Sequence, residues 1–161
     1  MIVMLNGAFG AGKTTLAHEL LVRRPEWMLF DPEEVGFMLW KLMGWRGDFQ
    51  NLPQWSPLVV ETARVLVTTT GRGLVVPMTL VDETNYQTIR AGFETISPTR
   101  HFALVASRET LERRLHERGS DAWAFEQIDR CVAALSREEF ATHLDAERTV
   151  AGLADEISGS L

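Results

Sequence analysis

A chain of 161 residues, 45% hydrophobic and 24% charged, is one domain in size, long enough to bury a core unaided and too apolar to be disordered. Its net charge of −6 and pI near 5.2 exclude a broad electrostatic grip on nucleic acid or anionic membrane, so any polyanion must be held locally. The single cysteine, Cys131, rules out an internal disulfide, and the scattered His18, His101, His116 and His143 lack the spacing of a structural metal site.

The opening Met1–Leu5 lacks the charged segment and long apolar run of an export signal. No apolar stretch approaches the roughly 20 residues needed to span a bilayer, so the reading is a cytoplasmic protein with no transmembrane segment. Ile2 to Leu5 reads as a short strand, followed by a glycine-rich turn. Lys13 to Leu21 then reads as a helix, with Leu16, Leu20 and Leu21 at helical spacing until Pro25 stops it. Trp27 to Phe30 is a second strand ending on Asp31. Pro32 opens the next helix, where Glu33 and Glu34 complement the helix dipole.

Further strands are expected at 73–78 and 101–106, with a last one between Thr142 and Val150. Helices are expected at 86–95, at 108–118 from a Ser107 cap, at 122–135, and around Leu153, Ala154 and Ile157. Strands alternating with helices predict an α/β domain, a parallel sheet covered on both faces by right-handed connections. One such domain spans residues 1–161.

The segment Gly7-Ala8-Phe9-Gly10-Ala11-Gly12-Lys13-Thr14, followed by Thr15, carries the chemistry between the first strand and helix. Its glycines permit dihedrals that aim successive backbone N–H groups at phosphate oxygens. Lys13 would reach the β- and γ-phosphates, the Thr14 hydroxyl would ligate Mg²⁺, and the helix N-terminus adds positive potential. Residues 7–15 are therefore the nucleotide-binding candidates. The chain holds only two lysines, Lys13 and Lys41, and one of them occupies the motif. No Asn-Lys-x-Asp segment marks a guanine-reading GTPase.

Beyond the loop, Asn6 to Thr14, Asp31-Pro32-Glu33, Gly36-Phe37, Asp48-Phe49-Gln50, Val76-Pro77-Met78-Thr79 and Ile128-Asp129-Arg130-Cys131 resemble the tunicamycin-resistance ATP-binding proteins of bacteria, small members of the P-loop kinase group. The resemblance implies a three-layer P-loop kinase fold with strand order 2-3-1-4-5 and a small lid, like that of shikimate and chloramphenicol kinases. It also implies resistance to tunicamycin, an acylated uridine-containing antibiotic, with ATP and Mg²⁺ as cofactors. Phosphorylation of the drug, binding without transfer, and a metabolite or nucleoside kinase activity all stay open on the sequence.

Phosphoryl transfer needs positioning, charge neutralisation and a group that orients the acceptor hydroxyl. Asp31 is the candidate for the last role, at the carboxyl edge of the second strand where open α/β sheets bind ligands; capping the Pro32 helix is the alternative. Lys13, Arg114 and Arg118 are the candidates for neutralisation. Arg114 and Arg118 stand four apart on one helix face, within a lid expected at about 113–125. Arg113 and Arg130 are weaker members, with Glu109–Arg113 and Glu126–Arg130 pairing as the alternatives. Val75-Val76-Pro77-Met78 offers no acid at the end of the third strand, while Asp82 and Glu83 come too late.

Residues 32–70 are the candidate acceptor region. Trp40, Trp45 and Trp55 fall there among Met38, Leu39, Leu42, Met43 and Phe49, a density that suits a broad apolar pocket or a helical core. Phe37, Trp40, Asp48, Gln50 and Arg64, with Asp31 and Thr79, are the candidate acceptor contacts. The partner is thus a small-molecule acceptor, tunicamycin or a similar nucleoside, and not nucleic acid; the sequence is also compatible with a homodimer. The tail from Thr149 to Leu161 carries Asp155 and Glu156 and no lysine, so it is expected to pack on the domain rather than on a membrane.

Overall fold

Ile2 to Gly7 form the central strand β1, and all six residues are buried, as a strand covered on both faces by helices requires. A computed structural model gives the fold and describes residues 1–44, 46–137 and 141–161. Trp45 of the tryptophan-rich stretch lies outside the described residues. The other strands are β2 (Met28–Leu29), β3 (Leu74–Met78), β4 (Thr99–Val105) and β5 (Thr142–Asp145). All pair in parallel in the order β2-β3-β1-β4-β5, the order that the family resemblance implies.

The helices are α1 (Lys13–Arg23), α2 (Pro32–Met43), α3 (Trp55–Thr70), α4 (Glu83–Glu94), α5 (Arg108–Arg118), α6 (Ala122–Glu126), α7 (Ile128–Leu135) and α8 (Val150–Gly159). Right-handed crossovers place α1 on one face, where it packs with α8, and α3 and α4 together on the opposite face. Leu153, Ala154 and Ile157 of α8 are buried there, so the C-terminal segment packs on the domain. No helix among the described residues is long and apolar enough to cross a membrane.

Where the structure departs from the sequence pattern, local causes are visible. The helix expected over 122–135 is divided at Gln127 into α6 and α7. The sixteen-residue α3 is not anticipated by its pattern, because Val59, Val60, Val65, Val67 and the threonines 68–70 are β-branched and weak helix formers. Tertiary burial of Trp55, Val59 and Ala63 overrides that propensity. Pro77 sits in β3 without breaking the sheet. It shares the parity of Val75, whose carbonyl accepts the N–H of Phe30, so its missing N–H would face the β2 side beyond the end of that short strand.

Candidate active site

The carboxyl ends of β1, β2 and β3 gather the site at one edge of the sheet. Gly10 and Gly12 adopt left-handed dihedrals, φ 82° and 95°, which turn the chain from β1 into α1 in a tight loop. The N–H groups of Lys13, Thr14 and Thr15, the first turn of α1, have no acceptor among the described residues, and the helix has no side-chain cap. These orphan donors face the cavity of about 280 Å³ that Gly10, Gly12, Lys13, Thr14, Thr15, Asp31, Thr79 and Arg118 line. The arrangement is an anion cradle.

Lys13 donates to the carbonyls of Gly7 and Ala8, each at 2.9 Å, which folds its ammonium back into the loop. Burial lowers its pKa from 10.5 to about 8, against the raising effect of the Glu33 carboxylate. The residues fit a polyphosphate and its metal. The cation has no ion pair among the described residues, and the Thr14 hydroxyl and the Asp31 carboxylate line the same cavity.

Asp31 caps α2, accepting the N–H of Glu33 at 2.9 Å, so the capping alternative and the position at the ligand edge hold together. Glu33 itself is half-buried. Burial raises its pKa, reinforced by the Asp31 charge and opposed by Lys13. Its side chain lines both the phosphate cavity and a second cavity of about 550 Å³, as does Phe9.

That second cavity is aromatic. Phe37 and Trp40 from α2, Phe49 from the short 3-10 turn Phe49–Asn51, Phe9 from the phosphate loop and Trp123 from α6 line it, with Arg46, Asp48, Gln50 and Asp121. Phe37, Trp40 and Phe49 form a ring cluster with centroids 5.4–5.9 Å apart. Gly36 makes this possible, since a Cβ there would sit 2.3 Å from Phe49 Cγ. The Trp40 indole N–H donates to the Gly47 carbonyl at 2.8 Å, pinning the segment that carries Arg46. Trp55 is fully buried and its N–H donates to Pro32 O at 3.2 Å, so it belongs to the core, not the cavity.

A third cavity, of about 330 Å³, lies between the phosphate loop, α5 and the segment after β5. Arg114 and Arg118 line it with Ala146, Arg148 and Val150. Arg114 donates to Ala146 O at 2.9 Å and Gly10 O at 3.4 Å, tying the loop to the β5–α8 segment. Arg118 is exposed, contacts Ser120 Oγ at 3.1 Å, and lines this cavity and the phosphate cavity alike.

A chain of neutral hydrogen bonds joins the two sides of the site. The buried Asn6 takes the N–H groups of Gly7 and Leu80 on one oxygen and donates to Leu80 O. Thr79 donates its hydroxyl to Gly7 O at 2.9 Å, Gln50 donates to Thr79 O, and Asn85 donates to Gln50 O.

Of the residues singled out in the sequence, Gly10, Gly12 and Lys13 to Thr15 with Asp31 and Arg118 meet around the phosphate cavity, and Phe37, Trp40, Asp48 and Gln50 around the aromatic one. Thr79 lines the phosphate cavity instead, its hydroxyl committed to the loop. Arg64 stands apart: it bonds Glu61 and Thr95, at the end of α4 remote from the ligand edge, and is not retained as an acceptor contact. Arg113 pairs outward with Glu117 at 3.2 Å, not with Glu109. Arg130 is exposed with no ion pair among the described residues. Glu33, Arg46, Asp121, Trp123 and Arg148 are site residues that the sequence reading does not identify. Only Glu33 carries a sequence signal, two positions after Asp31 in a first helical turn facing the loop.

An AAA domain family model matches residues 2–143. The tunicamycin resistance protein of Deinococcus radiodurans superposes with a TM-score of 0.83 at 31% identity, covering 99% of this chain and 94% of that one. A gluconokinase from Sinorhizobium meliloti 1021 gives 0.69 at 14% identity, over 96% and 87% of the two chains. A sugar kinase from Janibacter sp. HTCC2649 gives 0.71 at 17%, over 97% and 91%. These two similarities bear on the fold alone. No curated protein matches the chain.

Proposed function

The chain belongs to the tunicamycin-resistance group of the AAA-domain P-loop family, and we propose that it is an ATP-dependent phosphotransferase acting on a hydroxyl of tunicamycin or a similar nucleoside. The observation that carries this reading is that the phosphate cavity and the aromatic cavity share Phe9 and Glu33. A hydroxyl in one meets a terminal phosphate in the other.

In this reading the N–H groups of the first turn of α1 and the Lys13 ammonium hold the phosphates, and the cavity between Arg114, Ala146 and Val150 takes the adenosine. Arg118, lining both, neutralises charge on the moving phosphoryl group. Thr14 and Asp31, which line the phosphate cavity, would hold Mg²⁺, and the ion would supply positive charge to offset that of the phosphates. Glu33 orients the acceptor hydroxyl and takes its proton. It lines both cavities whereas Asp31 lines one, and its raised pKa favours proton acceptance.

Mass spectrometry of tunicamycin incubated with protein, ATP and Mg²⁺ tests this. The drug should gain one phosphoryl group; an unchanged mass at full ATP occupancy refutes transfer.

A second reading, nucleotide-dependent sequestration of the drug without transfer, is favoured by one observation: β3 ends in Val76-Pro77-Met78 with no carboxylate for the metal. The variants Asp31→Asn and Glu33→Gln separate the two readings. Resistance that survives both with drug binding intact supports sequestration; loss of resistance at unchanged binding supports transfer.

A further inference from the structure

Two of the exposed large hydrophobic side chains, Phe37 at 42% and Trp123 at 48%, line the same cavity from separate segments of the chain. Phe37 projects from α2 and Trp123 from α6. Core packing does not explain Trp123. Ala124 and the following Ile128 are buried, and the Phe125 ring packs on His116 at 4.6 Å, so α6 is anchored without the indole. The Trp123 ring touches only Phe9 among the described rings, edge-on at 5.1 Å. A large aromatic face left half-exposed on a cavity wall is a face that a ligand can cover.

We propose that Trp123 is a specificity-determining residue of the acceptor site, closing the aromatic cavity from the lid side and selecting acceptors that carry a flat, π-faced ring. The proposal rests on the reading of that cavity as the acceptor site. Phe9, Phe37, Trp40 and Trp123 give it aromatic walls, and about 550 Å³ holds one ring with a sugar attached. Arg46 makes no hydrogen bond among the described residues and is free to meet oxygens on the ring edge. Saturated sugar acids are disfavoured on two counts. They have no face to stack, and their charge would join the Glu33, Asp48 and Asp121 carboxylates against Arg46 alone.

The test is calorimetric titration of the full chain and its Trp123→Ala and Trp123→Phe variants. The titrants are uridine and tunicamycin, which share a uracil ring, gluconate, which has none, and ATP with Mg²⁺. The Kd for the uracil compounds should rise on the order of 10-fold in Trp123→Ala. It should stay within about 3-fold in Trp123→Phe, which keeps a ring face. ATP affinity should be unchanged in both, which also reports that they fold. Equal uracil binding by Trp123→Ala and the parent, equal losses in both variants, tighter binding of gluconate than of uridine, or no uracil binding by the parent would each overturn the proposal. Binding is read without turnover. If the expected pattern appears and no phosphate is transferred, the phosphotransferase reading fails and the assignment of Trp123 stands.

Discussion

Replacing Lys13 by methionine is expected to abolish ATP binding and, against intuition, to stabilise the ligand-free protein. Burial takes the Lys13 pKa from 10.5 to about 8. That drop of about 2.5 units, at ~1.36 kcal/mol each, makes the ammonium cost about 3 kcal/mol at neutral pH. This is a ceiling, because part of the side chain stays at the cavity surface. The variant does not strand the carbonyls that Lys13 binds. Gly7 O still accepts from the Thr79 hydroxyl, and Ala8 O still accepts from Ala11 N–H. Up to about 3 kcal/mol corresponds to a Tm rise of at most roughly 6–12 °C for a chain of this length. Scanning fluorimetry with and without ATP and Mg²⁺ reads both effects: a raised apo Tm and no ligand shift. The sign also fixes a pH signature. Between pH 8 and 10.5 the unfolded chain carries a proton on Lys13 that the folded chain has released, so parental stability should rise relative to the variant across that window. A lower apo Tm in Lys13→Met, with no differential pH slope, would refute the reasoning.

Gly36→Ala would drive a Cβ to within 2.3 Å of Phe49 Cγ and break the ring cluster, so about 1–3 kcal/mol of stability and the acceptor affinity should fall while ATP affinity holds. Urea unfolding and paired titrations measure this; normal acceptor binding would detach the cluster from the acceptor site. Asn6→Ala would strand two buried N–H groups and a carbonyl, and about 3 kcal/mol or more should be lost; a loss under ~1 kcal/mol in urea melts would contradict that network. Glu33 accepts a proton only when ionised, and burial raises its pKa, so transfer should decline with falling pH from above the ordinary carboxylate range. Glu33→Gln should flatten that limb of the rate profile, and a limb that persists unchanged would assign it to another group.

The donor half of the site was legible because backbone chemistry defines it. A loop that must present N–H groups to phosphate needs glycines at Gly10 and Gly12, and a cation must follow at Lys13, so function is written in a contiguous string. The sheet was legible for a related reason: strands buried on both faces, such as Leu74–Met78, are unbroken apolar runs. The acceptor half is assembled from α2, the Phe49–Asn51 turn and α6, and no local pattern links Phe37 to Trp123, over eighty residues apart in sequence. Density of tryptophan alone was ambiguous. Trp40, on α2, lines the cavity, whereas Trp55, at the start of α3, is fully buried in the core. Arg64 looked eligible by proximity in sequence, but α3 carries it toward Thr95, away from the carboxyl edge.

The way the site is held together also explains why so few of its charges form ion pairs among the described residues. Asn6, Thr79, Gln50 and Asn85 register the phosphate loop against the aromatic cavity entirely through neutral hydrogen bonds to backbone. Exposed ion pairs among the described residues lie elsewhere, as between Arg108 and Glu112, Arg90 and Glu94, or Arg113 and Glu117. Such pairs contribute little to stability and weaken in salt, whereas buried neutral bonds are nearly indifferent to it. Had the scaffold been fixed by ion pairs at the sheet edge, an incoming polyphosphate would compete for their cations and loosen the geometry it needs. Because neutral groups do that work, Lys13, Arg118, Glu33 and Arg46 are free of ion pairs among the described residues and can turn to ligands without disturbing the frame that places them.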